Sequence, residues 1–230
     1  MRYLIAVLSF LGFFQATSVM AQNGPVVVEL FTSQGCSSCP PADAMLHDLA
    51  KRDDIIALAL HVDYWDYIGW KDVFGRPENT RRQHGYAQAA RATTVYTPQM
   101  VIGGIDHVVG SRPMQVMNAV QAQARRGNAV NVTLTRRGNA VQINAPAAMR
   151  GDYVVQLVRF TPEETVTIRR GENAGHTFSY ANIVKSWDVI GRWDGLAALT
   201  LDAAAAGSDG IVVIVQQAGH GAIAGAAQLK

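Results

Sequence analysis

Cysteine is nearly absent from this 230-residue chain, which carries two, Cys36 and Cys39. That scarcity excludes a disulfide-dense scaffold and a four-cysteine zinc site, and leaves one C-x-x-C pair to explain. Charge is sparse as well. Charged residues make up 17% of the chain against 49% hydrophobic ones, which excludes a highly charged disordered polymer. Lys and Arg number 20 and Asp and Glu 18, a formal charge of +2, so the concentrated basic footprint of nucleic-acid binding is missing. Long apolar runs are missing too. The run Tyr3 to Phe14 spans twelve residues, short of the roughly 20 that a membrane-spanning helix needs.

What is present begins with that run. Arg2 supplies a basic start, and Val19 and Ala21 stand at the −3 and −1 positions of a cut after Ala21. This three-part layout predicts a secretory signal peptide over residues 1–21 and a periplasmic or secreted mature protein with no membrane span. In that oxidising compartment a dithiol persists as a disulfide.

Val26–Phe31 is a β-branched, nearly continuous apolar run, the pattern of a buried central strand. A turn, SQGCSSC, follows. Pro40-Pro41 open a helix with Ala42, Met45, Leu46 and Leu49 on one face and Asp43, His47, Asp48 and Lys51 on the other; proline costs little in a first helical turn. Ile55–Val62 reads as a second buried strand, which completes a βαβ unit. Residues 63–77 read as an irregular insertion and 78–92 as a helix. Val95–Ile102 reads as a strand interrupted by Pro98, Gly103-Gly104 as a hairpin turn, Ile105–Val109 as a return strand, and Ser111 to Gly127 as a capped helix. After Gly127 the texture changes. RRGNAV occurs at 125–130 and again at 136–141, each copy leading into alternating strand-like sequence, with Gly138-Asn139 as a hairpin turn. Tyr153–Phe160, Glu164–Ile168 and Ile211–Gln216 are further strands, and Ala203–Ala206 is a helical end or loop.

Cys36-Ser37-Ser38-Cys39 falls between a buried strand and a helix N-terminus, where free N–H groups and the positive end of the helix dipole stabilise a thiolate. Cys36, nearer the mouth of the turn, is the attacking sulfur. Cys39, on the helical side, resolves the mixed disulfide from within. A C-x-x-C beside a βαβ pattern is a redox signal. Thr97-Pro98 enters the later strand, and a cis bond there would present the backbone of Thr97 beside the dithiol, open to an extended substrate peptide.

FTSQGCSSCPPAD at 31–43 resembles the signature of a secreted bacterial thioredoxin-like family catalogued as a domain of unknown function, and RGENAGHTFSYANIV at 170–184 resembles that family's second signature. Residues 26–126 are similar to a thioredoxin fold with an insertion before its cis-proline strand. The resemblance covers essentially the whole mature chain. It implies a thioredoxin-like fold in a secreted protein; together with the change of texture after Gly127, the reading is an α/β class with a thioredoxin-like domain over 22–127 followed by a smaller, mostly-β domain over 128–230. The chain departs from thioredoxins at two points. Gly35 stands where a Trp usually precedes the C-x-x-C, and the acidic residue usual six positions before the leading cysteine is here Glu29, seven before Cys36. Glu29 accepts the Cys39 proton only if the turn absorbs one extra residue.

Tyr64, Trp65, Tyr67, Trp70 and Phe74 crowd the insertion. Trp65 and Trp70 are expected either to wall the dithiol with an apolar substrate surface or to pack the insertion down as a satellite core. His61 and Asp63, with Asp66 nearby, are candidates to move protons to or from Cys39. Met100 with the cysteines and a His is a soft set for Cu(I); no other metal site and no cofactor is expected. Gly171, Glu172, Asn173, Asn182 and Trp187 read as turn geometry. Three functions remain: a thiol–disulfide oxidoreductase working on protein thiols or disulfides with a redox partner, a Cu(I)-handling protein, or a non-enzymatic binding module whose disulfide is structural and buried.

Overall fold

The computed structural model describes residues 24–229, so the expected signal peptide lies outside the described residues. The chain runs β1 (Val26–Thr32), α1 (Pro40–Leu49), β2 (Ile55–His61), a 3-10 turn (Asp66–Ile68), α2 (Pro77–Ala89), β3 (Gln99–Ile102), β4 (Asp106–Val109) and α3 (Pro113–Arg126). It continues through β5 (Thr133–Arg137), β6 (Ala140–Ala145), β7 (Tyr153–Thr167), β8 (Thr177–Trp193), β9 (Leu199–Ala204), β10 (Gly210–Gln217) and β11 (Ile223–Leu229).

The apolar strands β1 and β2 pair in parallel, as two strands bridged by a helix must when the crossover covers the sheet. They form the middle of an eight-stranded mixed sheet ordered β11-β10-β7-β8-β2-β1-β3-β4. A second sheet of three strands is ordered β5-β6-β9. Of the strands beyond residue 128, four join the sheet of the first half. β8 lies parallel to β2, with Ala59 opposite Ile183, so β7, β8, β10 and β11 extend the sheet that β1 begins.

Strand parity divides the core. Val26, Val28 and Leu30 face α1 and α3 and pack with Ala42, Leu46, Leu49, Val116 and Val120. Val27 and Phe31 face the other way, into a cluster with Leu58, Tyr86, Val158, Phe160 and Ile214. A third cluster, including Val141, Ile143, Val155 and Val213, joins the small sheet to the outer strands of the large one. Each fully buried Leu, Ile or Phe contributes about 1.5–3 kcal/mol.

Several elements differ from the sequence reading. Tyr153–Phe160 and Glu164–Ile168 are one strand, because Thr161 and Glu163 pair across Pro162 with Ile183 and Ala181. Ala203 belongs to strand β9, not to a helical end, because the β6 ladder takes it up opposite Val141. Strands β8 and β11 carry no simple alternating signal. The first is broken by register shifts opposite β7, and the second is the small-residue run IAGAAQL.

Candidate functional site

The turn after β1 sits over the C-terminal ends of β1 and β2. It is folded by its own backbone: the Cys36 N–H donates to the Ser33 carbonyl (3.1 Å) and the Cys39 N–H to the Cys36 carbonyl (3.2 Å). The two cysteines are joined in a disulfide. Cys36 is 6% exposed and Cys39 is fully buried, while Ser37 and Ser38 face solvent. Cys36 opens on a cleft of about 150 Å³ lined by Ser37, Ser38, Trp65, Ile68, Thr97 and Glu172. Thr97-Pro98 is cis, and β3 starts at Gln99, so the Thr97 backbone lies outside the ladder.

The insertion is fastened to this turn. Trp65 Nε1 donates to Thr97 Oγ1 (2.8 Å), which sets the indole as one wall of the cleft. Trp70 Nε1 donates to Gln34 Oε1 (2.8 Å), and the Gln34 N–H donates to Asp72 Oδ2 (2.8 Å). A Cβ on Gly35 would meet Ile68 and Trp65 at 3.4–3.5 Å, so the insertion lies in van der Waals contact with the turn at this position. Trp65 therefore lines the cleft and also packs against the core cluster of Val27 and Phe31, whereas Trp70 lies outside the cleft lining and braces Gln34. Phe74 turns inward, edge-on to His61.

The helix N-terminus differs from expectation. Pro40 and Pro41 occupy its first two positions and carry no N–H. The next two amides, of Ala42 (2.8 Å) and Asp43 (3.1 Å), both donate to the Cys39 carbonyl. The first turn thus has no free N–H for a sulfur anion. The polar side-chain contact of Cys36 Sγ is the Ser38 hydroxyl at 3.4 Å.

Beneath the disulfide lies a buried polar cluster. Asp43, one turn down α1 from Cys39, is buried, although its helical position suggested a solvated face. It shares the α1 side of the sheet with Thr32 at the end of β1 and His61 at the end of β2. His61 Nδ1 meets Asp72 Oδ2 at 2.7 Å, with both side chains fully buried. Burial, opposed by the charge of His61, pushes Asp43 from 3.8 up to about 7. Burial alone would push His61 down, but the Asp72 carboxylate more than offsets it and the net shift is upward. Burial, then the carboxylates of Asp43 and Asp72, push the Tyr180 phenol upward. Thr32 Oγ1, Asp43 Oδ1 and His61 Nε2 are buried without a hydrogen-bond partner. Such atoms in one locale make room for a shared proton or an ordered water.

The segment between β7 and β8 closes the site from above. Asn173 Nδ2 donates to the carbonyls of Gln34 (2.9 Å) and Cys36 (3.1 Å), reaching the turn from 139 and 137 residues away. Gly171, at φ 80°, lies against Trp70 and brings Glu172 to the cleft. Asn182 Nδ2 donates to the Ala57 carbonyl (2.8 Å) and stitches β8 to β2. Trp187 lies under the Arg82 guanidinium, 3.6 Å from its ring centroid. The second signature, read from sequence as turn geometry, is therefore the cover and seam of the site.

The other sequence candidates fall elsewhere. Glu29 shares the parity of Val27 and Phe31, on the face opposite α1. There Arg82 binds it through two nitrogens (2.6 and 2.9 Å) and the Tyr86 hydroxyl donates to it (2.5 Å). Asp63 accepts from Thr80 Oγ1 at 2.5 Å. Met100 is packed in the apolar core beside Leu30 and Ala42. Among the described residues no group of three or more His, Cys, Asp or Glu side chains is placed to hold a metal. Sequence reasoning missed Gln34, Asp43, Asp72 and Asn173 as partners of the turn. Asp43 alone carried a signal, its i+4 spacing from Cys39.

The family described as a protein of unknown function, DUF1223, matches residues 27–216, and the chain belongs to it. A crystal structure of an Agrobacterium tumefaciens protein from a structural genomics consortium is 37% identical, with a TM-score of 0.79, over 91% of this chain and 96% of that one. HBP35 of Porphyromonas gingivalis is similar in fold, at 13% identity and a TM-score of 0.62 over 90% of this chain and 75% of that one. No curated protein matches.

Proposed function

We propose that this member of the family is a thiol–disulfide oxidoreductase of thioredoxin-like architecture, acting on protein thiols or disulfides in the periplasm or outside the cell. The observation that carries the reading is the asymmetry of the pair: Cys36 borders a cleft and Cys39 is buried one turn above Asp43. Cys36 exchanges with a substrate sulfur in the cleft that Trp65 and Thr97 line, and the unladdered Thr97 backbone suits an extended peptide. Cys39 then closes on Cys36 and expels the substrate thiolate. The Cys39 proton passes to the Asp43 and His61 cluster, which fits a general base because Asp43 titrates near neutrality.

The test is exchange with a model disulfide. The reduced protein should lose two thiols while releasing two from the substrate, and Cys36→Ser should abolish the turnover. A dithiol left intact after prolonged incubation would overturn the reading. One observation favours a second reading, a binding module with a structural disulfide: both cysteines are less than one-tenth exposed. That reading requires stability and partner binding to depend on the disulfide without any exchange.

A further inference from the structure

We infer that the Cys36–Cys39 pair runs as a reductant: its dithiol donates electrons to disulfides. The inference rests on the oxidoreductase reading and adds its direction.

A disulfide becomes a strong oxidant when its reduced form is stabilised, above all by donors and positive charge around the attacking thiolate. Here those supports are withdrawn one after another. The two prolines remove the first two amides of α1, and the following two are committed to the Cys39 carbonyl. What remains beside Cys36 Sγ is one hydroxyl, on Ser38, at 3.4 Å. Cys36 is also nearly dry, and burial disfavours the anion. The charged side chain lining the cleft is a carboxylate, Glu172, held there by the neighbouring Asn173 clamp. An exposed carboxylate at the cleft acts on the thiolate through solvent, in the direction that raises the thiol pKa. Each feature leaves the thiolate less stable and the disulfide correspondingly favoured.

The reaction balances without a further component at the site. The Cys36 thiolate attacks a substrate disulfide, forming a Cys36–substrate bond and releasing one substrate thiolate. Cys39, its proton transferred to the cluster below, attacks Cys36 Sγ. The Cys36–Cys39 bond forms, the second substrate thiolate leaves, and two electrons have moved to the substrate. A more reducing dithiol must then regenerate the pair; dithiothreitol serves in vitro.

The experiment equilibrates residues 22–230 in glutathione buffers and traps thiols by alkylation. A pH–rate profile of iodoacetamide with the reduced protein reads Cys36. The pair should remain oxidised with reduced glutathione in about tenfold excess, and Cys36 should titrate at or above the free-cysteine value of about 8.5. Pro41→Ala restores an amide to the first turn, and Glu172→Gln removes the carboxylate. Each should make the disulfide easier to reduce and Cys36 more acidic, by about twofold to fivefold in the equilibrium constant. A Cys36 that titrates below neutrality, or a pair mostly reduced by that buffer, overturns the inference while leaving the oxidoreductase reading intact. Failure to exchange with glutathione or dithiothreitol overturns both.

Discussion

Asp43 is the residue whose chemistry reaches furthest. It keeps its proton to about pH 7 in the folded chain against 3.8 when unfolded, so the folded state binds more protons between those values. Its contribution to stability is complete below pH 3.8 and is lost as pH rises through 7. The raised His61 acts in the same sense, at higher pH. Asp43→Asn should remove that component from the pH dependence of the unfolding free energy between pH 4 and 7, a change in slope of the order of 1 kcal/mol per pH unit. A parallel pair of curves would contradict this. Glu29 gives a second case. Arg82→Ala strands a fully buried carboxylate and should cost about 3–5 kcal/mol in urea unfolding, while Glu29→Met with Arg82→Met should cost less than the single change. Both residues illustrate what local pattern hides. Asp43 sits on the polar side of an amphipathic helix, and only the insertion and β8 make that side an interior. Glu29 is one position from the usual acidic site, and that one position moves it to the other face of the sheet.

At the scale of elements, β1, α1 and β2 were legible because each carries its whole reason within itself: continuous apolar strands, and prolines where a helix tolerates them. The helix over Pro113–Arg126 and the hairpin at Gly138-Asn139 were legible on the same grounds. β8 was not, because burial along its 17 residues is confined to Tyr180–Val184, where it crosses the core, and to Trp193 at its end. β11 needs small residues because Gly225 lies against the Val130 backbone, a requirement that resembles a loop in composition. The segment leading into β8 carries a prediction. Asn173→Ala should cost about 1–3 kcal/mol, since two carbonyls lose a buried donor. The reduced variant should also alkylate at Cys36 several-fold faster, with circular dichroism unchanged. An unchanged alkylation rate would show that the segment does not guard the sulfur.

Across the whole molecule, the sheet makes the two halves of the chain one folding problem. The cluster on one face of β1 and β2 takes Val158, Phe160, Val184, Val212 and Ile214 from beyond residue 150. Residues 24–127 expressed alone should therefore lack a cooperative urea transition, whereas the full chain should unfold in one. A cooperative fragment would show that β2 tolerates an open edge. Sequence reading divided the chain near residue 127 because composition shifts there; sheet continuity depends on the β2–β8 pairing, which leaves no periodic trace.

The separation between the turn and its cover also orders events in time. Cys36 and Cys39 are three residues apart and can find each other as soon as they emerge, whereas Asn173 must wait for 137 further residues of chain. Contacts of such span form late. A newly made chain thus passes through an interval in which its dithiol is open to any oxidant, and folding itself shuts that window.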